Sequence, residues 1–261
     1  MKISTSITCL ALSFSAISLS HAEHHGKKTS VLSEEEAKLP AIPLFNGKDL
    51  TGWTVKGGNG MFEVKDGTIV GHGTKINDNT FLITDKTYKN FIFTFKFKFH
   101  ERTGNTGVMF RANQKPLKKG QKEGNGRVFG YQCEGDNKDR NWTGGLYDEA
   151  RRKWLYPTKT NTVADEYFRN NFTAQGTRLI KWDDWNEVVI RCEGNRIQTW
   201  LNGELRVNFV DTHPEYDTRE GFFGLQVHKG DKHRSAWKDI NIRILPDTPA
   251  KAKATGSKKA K

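Results

Sequence analysis

Alternating apolar and polar residues recur through residues 41–246, and no long stretch there has a helical period. The clearest alternation is NFIFTFKFKFH, which begins at Asn90 and has a phenylalanine at every second position, with Lys96 and Lys98 among the intervening residues. Because successive side chains of a strand point to opposite faces, this segment predicts a strand with one buried aromatic face. We therefore predict an all-β domain with a thick aromatic core.

Turn signals divide the C-terminal half of the domain into short strands. Residues 182–211 carry Gly-Asn and Asn-Gly turns at residues 194–195 and 202–203, which predict a meander of three strands. Residues 158–180 hold few apolar residues in any period, so we predict a long loop there. The aromatic residues that favour order within this loop are Tyr167, Phe168 and Phe172.

Polar and aromatic side chains are concentrated in residues 128–157, VFGYQCEGDNKDRNWTGGLYDEARRKWLYP. The first strand of this segment places Gln132 and Glu134 on one face, and acids, arginines and tryptophans follow around a glycine pair. Aromatic rings cover the C–H side of a sugar, while carboxylates, amides and guanidinium groups bind its hydroxyls. The segment is therefore either a sugar-binding surface or a solvated hairpin with ion pairs.

Two further strands carry candidate site residues. In GFFGLQVHKG, Gln226 and His228 are two positions apart and so share a face, which favours a site role over a purely structural histidine. In TGNTGVMFRANQ, Arg111 lies near the end of a strand. It is either a clamp for an anion or hydroxyl, or an ordinary surface arginine.

Composition and charge narrow the class of protein. The 261 residues are enough for one sizeable domain, and we expect one. The net charge of +12 is spread along the chain and is not gathered into a basic stripe with interleaved aromatics, so we expect no nucleic-acid partner. A moderately basic surface on an exported protein accounts for it.

The two ends of the sequence differ from the domain between them. Residues 1–22 combine a lysine, an apolar run and a small-residue site ending at Ala22, so we expect a signal peptide cleaved after Ala22 and a periplasmic or secreted protein. Residues 23–40 predict a charged linker with one short helical turn around SEEEAK, and residues 247–261 predict a disordered basic tail. No other run is long and apolar enough to span a bilayer.

Removal of the predicted signal peptide would leave two cysteines, Cys133 and Cys192, both in predicted strands. An oxidising compartment permits a disulfide, but pairing needs facing positions. A bridge and two free buried thiols therefore both remain open.

Several stretches occur in an order that resembles a known family: LFNGKDLTGW, NTGVMFR, GYQCEGD with GGLYDEARRK, WNEVVIRCEGNRIQTWLNG and GLQVH. Together they span residues 41–246 and resemble the bacterial family long called DUF1080, described as a 3-keto-glycoside lyase and hydratase domain and earlier as a 3-keto-disaccharide hydrolase. The resemblance implies a concanavalin A-like β-sandwich, or jelly roll.

The resemblance also implies chemistry on a glycoside already oxidised to a ketone at carbon 3. The ketone acidifies the proton on carbon 2, so that a base can remove it and the aglycone can leave from carbon 1. The product is a 2-hydroxy-3-keto-glycal, which water can then attack to give net hydrolysis. This mechanism needs a base, a cationic group for the enolate oxygen and a proton donor for the leaving oxygen.

The resemblance assigns these roles to residues of the motifs. Glu134 or His228 would be the base, with the other as acid or orienting group, and Arg111 and Arg152 would hold the enolate oxygen. The side chains expected to bind the sugar, the last of them by stacking, are Gln132, Tyr147, Glu149, Gln226 and Trp154.

Alternatives to this assignment stay open at the level of sequence. The spacing matches no specific metal motif and no cofactor is indicated with certainty. A divalent cation could replace the arginines, with ligands from Glu134, Asp136, Glu149 and His228. The same fold could instead serve a conventional glycoside hydrolase or a non-catalytic carbohydrate-binding module. The expected partner is an oxidised glycoside, while its linkage and the oligomeric state are left open.

Overall fold

A computed structural model describes residues 31–116, 119, 126–158 and 162–247. The predicted signal peptide, residues 23–30 of the predicted linker, most of residues 117–125 and residues 248–261 of the predicted tail lie outside the described residues. Among the described residues, no helix has the length and hydropathy needed to cross a membrane.

The described part of the chain is mostly strand, with two helices, α1 (Glu34–Lys38) and α2 (Val163–Leu179). The strands in chain order are β1 (Ile42–Pro43), β2 (Trp53–Gly57), β3 (Met61–Lys65), β4 (Thr68–Ile76), β5 (Thr80–Thr84), β6 (Phe91–Phe99), β7 (Thr106–Gln114), β8 (Val128–Gly135), β9 (Leu146–Glu149), β10 (Lys153–Tyr156), β11 (Asn186–Glu193), β12 (Arg196–Leu201), β13 (Glu204–Val210), β14 (Phe222–Val227) and β15 (Gly230–Ile244).

These strands form two antiparallel sheets. The first sheet has the order β13-β12-β11-β6-β15-β4-β3, with β1 paired to β15, and the second has the order β10-β9-β8-β7-β14-β5-β2. The chain crosses between the sheets repeatedly, as from β4 to β5 and from β5 to β6. This arrangement confirms the predicted all-β sandwich.

The core lies between the two sheets and is largely aromatic. All five phenylalanines of β6 are at most 3% exposed, as the alternation in the sequence predicts. From the second sheet, Phe223 stacks on Phe93 with ring centroids 4.0 Å apart and meets Phe91 edge-on at 4.8 Å. Burial of so much aromatic surface holds the sheets face to face.

Helix α2 replaces the loop predicted for residues 158–180. Thr162 caps its N-terminus by accepting a hydrogen bond from the Asp165 amide, and its buried residues are Phe172, Gly176 and Leu179. A Cβ at Gly176 would lie 1.9 Å from the Asn141 carbonyl oxygen, so this turn of the helix approaches the neighbouring backbone too closely for a side chain. The prediction was wrong because a glycine interrupts the apolar stripe.

Helix α1 lies on the outer face of the first sheet, the face turned away from the second sheet. A capping box between Ser33 and Glu36 begins it, and Glu36 also accepts a hydrogen bond of 2.7 Å from Arg191 of β11. Val31, Leu32 and Leu39 pack against buried residues of this face, among them Ile92 and Val189. The helical turn expected around SEEEAK is thus present and is packed on the sheet.

Cys133 and Cys192 are both free and buried. Of the two alternatives left open by the sequence, the structure has the pair of free thiols. Burial raises the pKa of the Cys192 thiol to about 12, so this group stays protonated and unreactive at neutral pH.

Replacing Phe223 with alanine should lower the free energy of unfolding by about 3–5 kcal/mol, because it removes the ring that joins the aromatic faces of the two sheets. Urea denaturation measures the change. Val210→Ala, at a residue 45% exposed on β13, is the control and should change stability by less than about 0.5 kcal/mol. A loss below 1 kcal/mol for Phe223→Ala would contradict the described core.

Candidate functional site

The parity of β8 creates the polar floor of the site. Tyr131 and Cys133 point into the core, and Gln132 and Glu134 therefore point to the outer face of the second sheet. On the neighbouring strand β9, Tyr147 lies directly opposite Gln132, so its side chain projects from the same face.

A recess of about 460 Å³ lies over this floor, a size typical of small-molecule sites. It brings together six residues predicted from the sequence: Gln132, Glu134, Tyr147, Glu149, Trp154 and His228. Four residues that the sequence interpretation missed complete the lining: Asn105, Asn137, Lys138 and Arg140.

Glu134 is a buried carboxylate held by two amides. Its side chain is only 5% exposed, and Asn105 donates to Oε1 at 2.5 Å while Gln132 donates to Oε2 at 2.9 Å. Burial raises the pKa of Glu134 to about 7, against the opposing effect of the hydrogen bond from Asn105. Near neutral pH this group can therefore both take up and release a proton.

His228 has a defined tautomer. Its Nδ1 lies 2.7 Å from the carbonyl oxygen of Lys229, and a carbonyl oxygen can only accept, so Nδ1 carries the proton. Burial lowers the pKa of the imidazole below its ordinary value, and the ring is neutral at pH 7. Nε2 therefore holds a lone pair and can accept a hydrogen bond or a proton.

One wall of the recess is aromatic. Trp154 meets Trp142 and Tyr147 edge-on, with ring centroids 4.8 and 5.3 Å away. The guanidinium of Arg140 lies 4.9 Å from the Trp154 ring and forms a 2.6 Å ion pair with the buried Asp136. Together these contacts fix the orientation of the wall.

Helix α2 supports this wall from behind. Trp142 donates through Nε1 to the Thr173 hydroxyl at 3.0 Å, and Asn141 donates to the Thr177 hydroxyl at 2.9 Å. Helix α2, in a segment predicted as a loop, therefore helps to position the site.

Lys138 differs from Arg140, the other basic residue of the lining, in its surroundings. It is exposed, and the structure gives it no ion pair with any described residue. Arg140, in contrast, is already paired with Asp136. An ammonium on a flexible stem can follow a ligand that enters the recess.

Arg111 lies away from the recess, which corrects the expectation that it holds the enolate oxygen. Its side chain is 0% exposed. The guanidinium donates to the carbonyl oxygens of Lys89 and Gly194, both at 2.8 Å, and to Asn90 Oδ1 at 3.2 Å. These bonds join separate segments and make Arg111 a structural residue.

Arg152 is also bound elsewhere, which corrects the second expected cation. It pairs with Asp148 at 2.5 Å and with Asp211 at 2.6 Å, and the Tyr131 hydroxyl donates to Asp211 at 2.5 Å. Asp148 lies opposite Tyr131 and so points to the inner face of the sheet. This network links the two sheets and leaves Arg152 without a place in the lining.

Gln226 projects from the outer face, as its spacing from His228 predicts, but it is 0% exposed and does not line the recess. Extending the register of β14 and β7 by one residue places it beside Gly107. The Gln132 side chain lies over Gly107, where an added Cβ would come within 2.5 Å of it. Neither amide atom of Gln226 has a hydrogen-bond partner among the described residues.

The alternative metal-ligand set is not assembled in the described part of the chain. Asp136 is 0% exposed and bound to Arg140, and Glu149 accepts a 2.6 Å hydrogen bond from Arg127. No group of three or more histidine, cysteine, aspartate and glutamate side chains in the described ranges is placed to hold a metal ion.

Glu134→Gln should stabilise the fold at alkaline pH. The pKa of Glu134 is raised from 4.5 to about 7 by folding, so the cost of its buried charge is absent below about pH 4.5 and complete above about pH 7. We expect the free energy of unfolding of the variant to exceed that of the wild type by roughly 2–4 kcal/mol at pH 8, because one pKa unit corresponds to about 1.4 kcal/mol.

Urea denaturation at pH 4 and pH 8 measures this difference, which should nearly vanish at pH 4. Glu215→Gln, at an exposed carboxylate, is the control and should show little dependence on pH. Equal stabilities of Glu134→Gln and wild type at pH 8 would show that Glu134 is not buried as a charge.

Several solved structures are similar to this chain. One is a Bacillus subtilis protein of unknown function with a galectin-like fold. The match covers 80% of this chain and 97% of that protein, at 13% identity and a TM-score of 0.56. A candidate glycosyl hydrolase from Parabacteroides distasonis is 23% identical, with 83% and 99% of the chains covered and a TM-score of 0.49. A Bacillus subtilis carbohydrate-binding module is 13% identical, with 74% and 95% covered and a TM-score of 0.46.

The galectin-like structure supports the sandwich fold alone, since its identity to this chain is low. No curated protein matches the sequence. A family model does match, over residues 40–243. This range includes the entire lining of the recess and all residues of both sheets except Ile244 at the end of β15. The chain belongs to the family of 3-keto-alpha-glucoside-1,2-lyase-like domains.

Proposed function

We propose that the recess cleaves 3-keto-glycosides by removing the proton on carbon 2 and expelling the aglycone from carbon 1. The observation that carries this proposal is Glu134, a clamped and buried carboxylate whose pKa lies near 7 at the floor of a sugar-sized recess. A base of this kind is matched to a carbon acid that an adjacent ketone has activated. Family membership supports the same reaction class.

Glu134 is the base in this proposal, and His228 is the orienting group. Burial raises the pKa of Glu134, which makes it a stronger base than an ordinary carboxylate. Burial lowers the pKa of His228, which makes it a weaker base than an ordinary imidazole. The two amides that donate to Glu134 stabilise its ionised form and fix its direction. The Nε2 lone pair of His228 accepts a hydrogen bond from a sugar hydroxyl.

Lys138 holds the developing enolate oxygen, in place of Arg111 and Arg152. It is the lining cation without an ion pair in the described residues, and its charge is therefore free to stabilise an oxyanion. Arg140 adds positive potential from the wall, although Asp136 partly neutralises it. Gln132, at the floor of the recess, orients Glu134 through its Nε2 donor.

Glu149 and Trp154 complete the sugar site. Glu149 lines the recess and accepts hydrogen bonds from hydroxyls with the oxygen atoms that Arg127 leaves available. The Trp154 ring packs against the C–H side of the sugar. We also propose that the protein is periplasmic or secreted, as its predicted signal peptide indicates, and that it meets its substrate there.

The geometry disfavours a conventional retaining glycosidase. That mechanism needs two carboxyl groups about 5 Å apart. Glu149 lies opposite Gly130, four residues from Glu134, which separates the two backbone positions by roughly 14 Å. The ion pair with Arg127 also holds the Glu149 carboxylate at 2.6 Å from a cation.

Incubation of the purified protein with a chromogenic 3-keto-glucoside, with and without a chelator, tests the proposal. We expect release of the chromophore and a 2-hydroxy-3-keto-glycal, identified by mass spectrometry and NMR before its hydration. Glu134→Gln should lower kcat/KM at least about 100-fold, the usual size of a lost general base. Glu215→Gln is the matched control for the charge change.

Two other results would contradict the proposal. Saturable sugar binding without turnover, even with added divalent cations, would identify a carbohydrate-binding module. Cleavage of an unoxidised aryl glucoside at a comparable rate would identify a conventional hydrolase. Loss of activity on chelation would retain the reaction class and add a metal requirement.

A further inference from the structure

The proposed elimination leaves one proton without a donor. Glu134 accepts the proton from carbon 2, so it cannot supply another to the leaving oxygen in the same step. The only N–H of neutral His228 is at Nδ1, which is committed to the Lys229 carbonyl at 2.7 Å. The oxygen that leaves from carbon 1 of an ordinary glycoside is a poor leaving group unless it is protonated.

Tyr147 is placed to supply this proton. Its side chain projects beside Gln132 into the recess, and Glu134 is its diagonal neighbour, at the roughly 7–8 Å spacing usual for such pairs. A sugar ring fits between groups at that separation. The base and the donor would then address carbon 2 and the oxygen on carbon 1 of the same ring.

The hydroxyl of Tyr147 is available. Within the described ranges it has no hydrogen-bond partner, while the ring itself is held by the edge-on contact with Trp154 at 5.3 Å. Tyr147 is only partly buried and lines the recess, so a ligand there can reach its hydroxyl without displacing a described protein group. The Tyr147 ring is therefore held in place, while its hydroxyl can donate to a bound ligand.

The Tyr147 hydroxyl also stays protonated. Burial, followed by the charges of Glu149 and Glu134, raises the pKa of Tyr147 above its ordinary value. The group therefore carries its proton throughout the neutral range and can give it to an alkoxide, which is a stronger base than a phenolate. Amide groups in the lining, such as those of Asn105 and Asn137, cannot release a proton in this way.

The cations of the lining are less suited to this role. The guanidinium of Arg140 is engaged by Asp136 through two of its nitrogens and does not deprotonate. Lys138 is exposed, and in the proposed function it holds the enolate oxygen at carbon 3. Tyr147 thus remains as the proton donor among the described groups that line the recess.

We propose that Tyr147 is the general acid that protonates the leaving aglycone oxygen. This inference rests on the proposed function and names a catalytic residue for it. The C2–H bond breaks as its proton moves to Glu134, and the electron pair passes into the enolate. The C1–O bond then breaks as the carbon 1–carbon 2 double bond forms and the ketone returns, and the Tyr147 proton moves to the departing oxygen. Proton exchange with solvent restores both groups.

Two substrates with different leaving groups test the inference. Tyr147→Phe should lower kcat/KM for methyl 3-keto-glucoside at least about 100-fold, because methoxide needs the proton. For 4-nitrophenyl 3-keto-glucoside the same variant should lose less than about tenfold, because nitrophenolate leaves without assistance. The variant keeps the ring contact with Trp154, and a thermal melt checks that it folds. Tyr88→Phe, outside the recess, is the control for loss of a hydroxyl.

Each other outcome overturns the inference. An equal loss on both substrates would mean that Tyr147 only binds the sugar, and activity retained on both would mean that it is not used. If the wild type cleaves the nitrophenyl compound but Tyr147→Phe shows no leaving-group dependence, the proposed function stands and the acid assignment fails. If the wild type cleaves neither substrate, the proposed function fails and the assignment with it.

Discussion

A carboxylate removed from water is costly, and the arrangement around Glu134 is a response to that cost. Asn105, in the turn just before β7, and Gln132 on β8 each donate to one of its oxygens, so the charge is satisfied from two neighbouring segments. Such a clamp works only on a rigid floor. The aromatic core beneath the second sheet supplies this rigidity, because its close-packed rings leave the strands little freedom to shift.

The fold was predictable where local pattern and tertiary environment agree. In β6 the alternation of phenylalanine with polar residues matches a strand that is buried on one face, and the same agreement holds for the meander of β11, β12 and β13. Helix α2 was not predicted from the sequence because its inward face contains Gly176 at the point of closest approach to Asn141. A contact of backbone with backbone leaves no apolar signal in the sequence.

Strand parity also recovered much of the site, including Gln132, Glu134 and His228. Parity is no guide to Arg111, because β7 has a register shift between Phe110 and Asn113, and an irregular strand does not alternate its faces regularly. The position of the Arg152 side chain depends on its ion pair with Asp211, 59 residues away in the sequence, which residue spacing cannot predict. Asn105 precedes its strand in a glycine-rich turn, which could have marked it as a rim residue, while Lys138 and Arg140 follow β8 without a periodic signal.

The junction between α2 and residues 136–145 means that the shape of the recess is decided partly by a segment that contributes nothing to its lining. Gly176 abuts Asn141, and Thr173 supports Trp142, so the helix behaves as a spacer behind the aromatic wall. Changes that lengthen, shorten or rotate this helix would widen or narrow the recess without exchanging any residue of its floor. Diversification of substrate range could thus proceed by changes in a helix while the reacting groups stay constant.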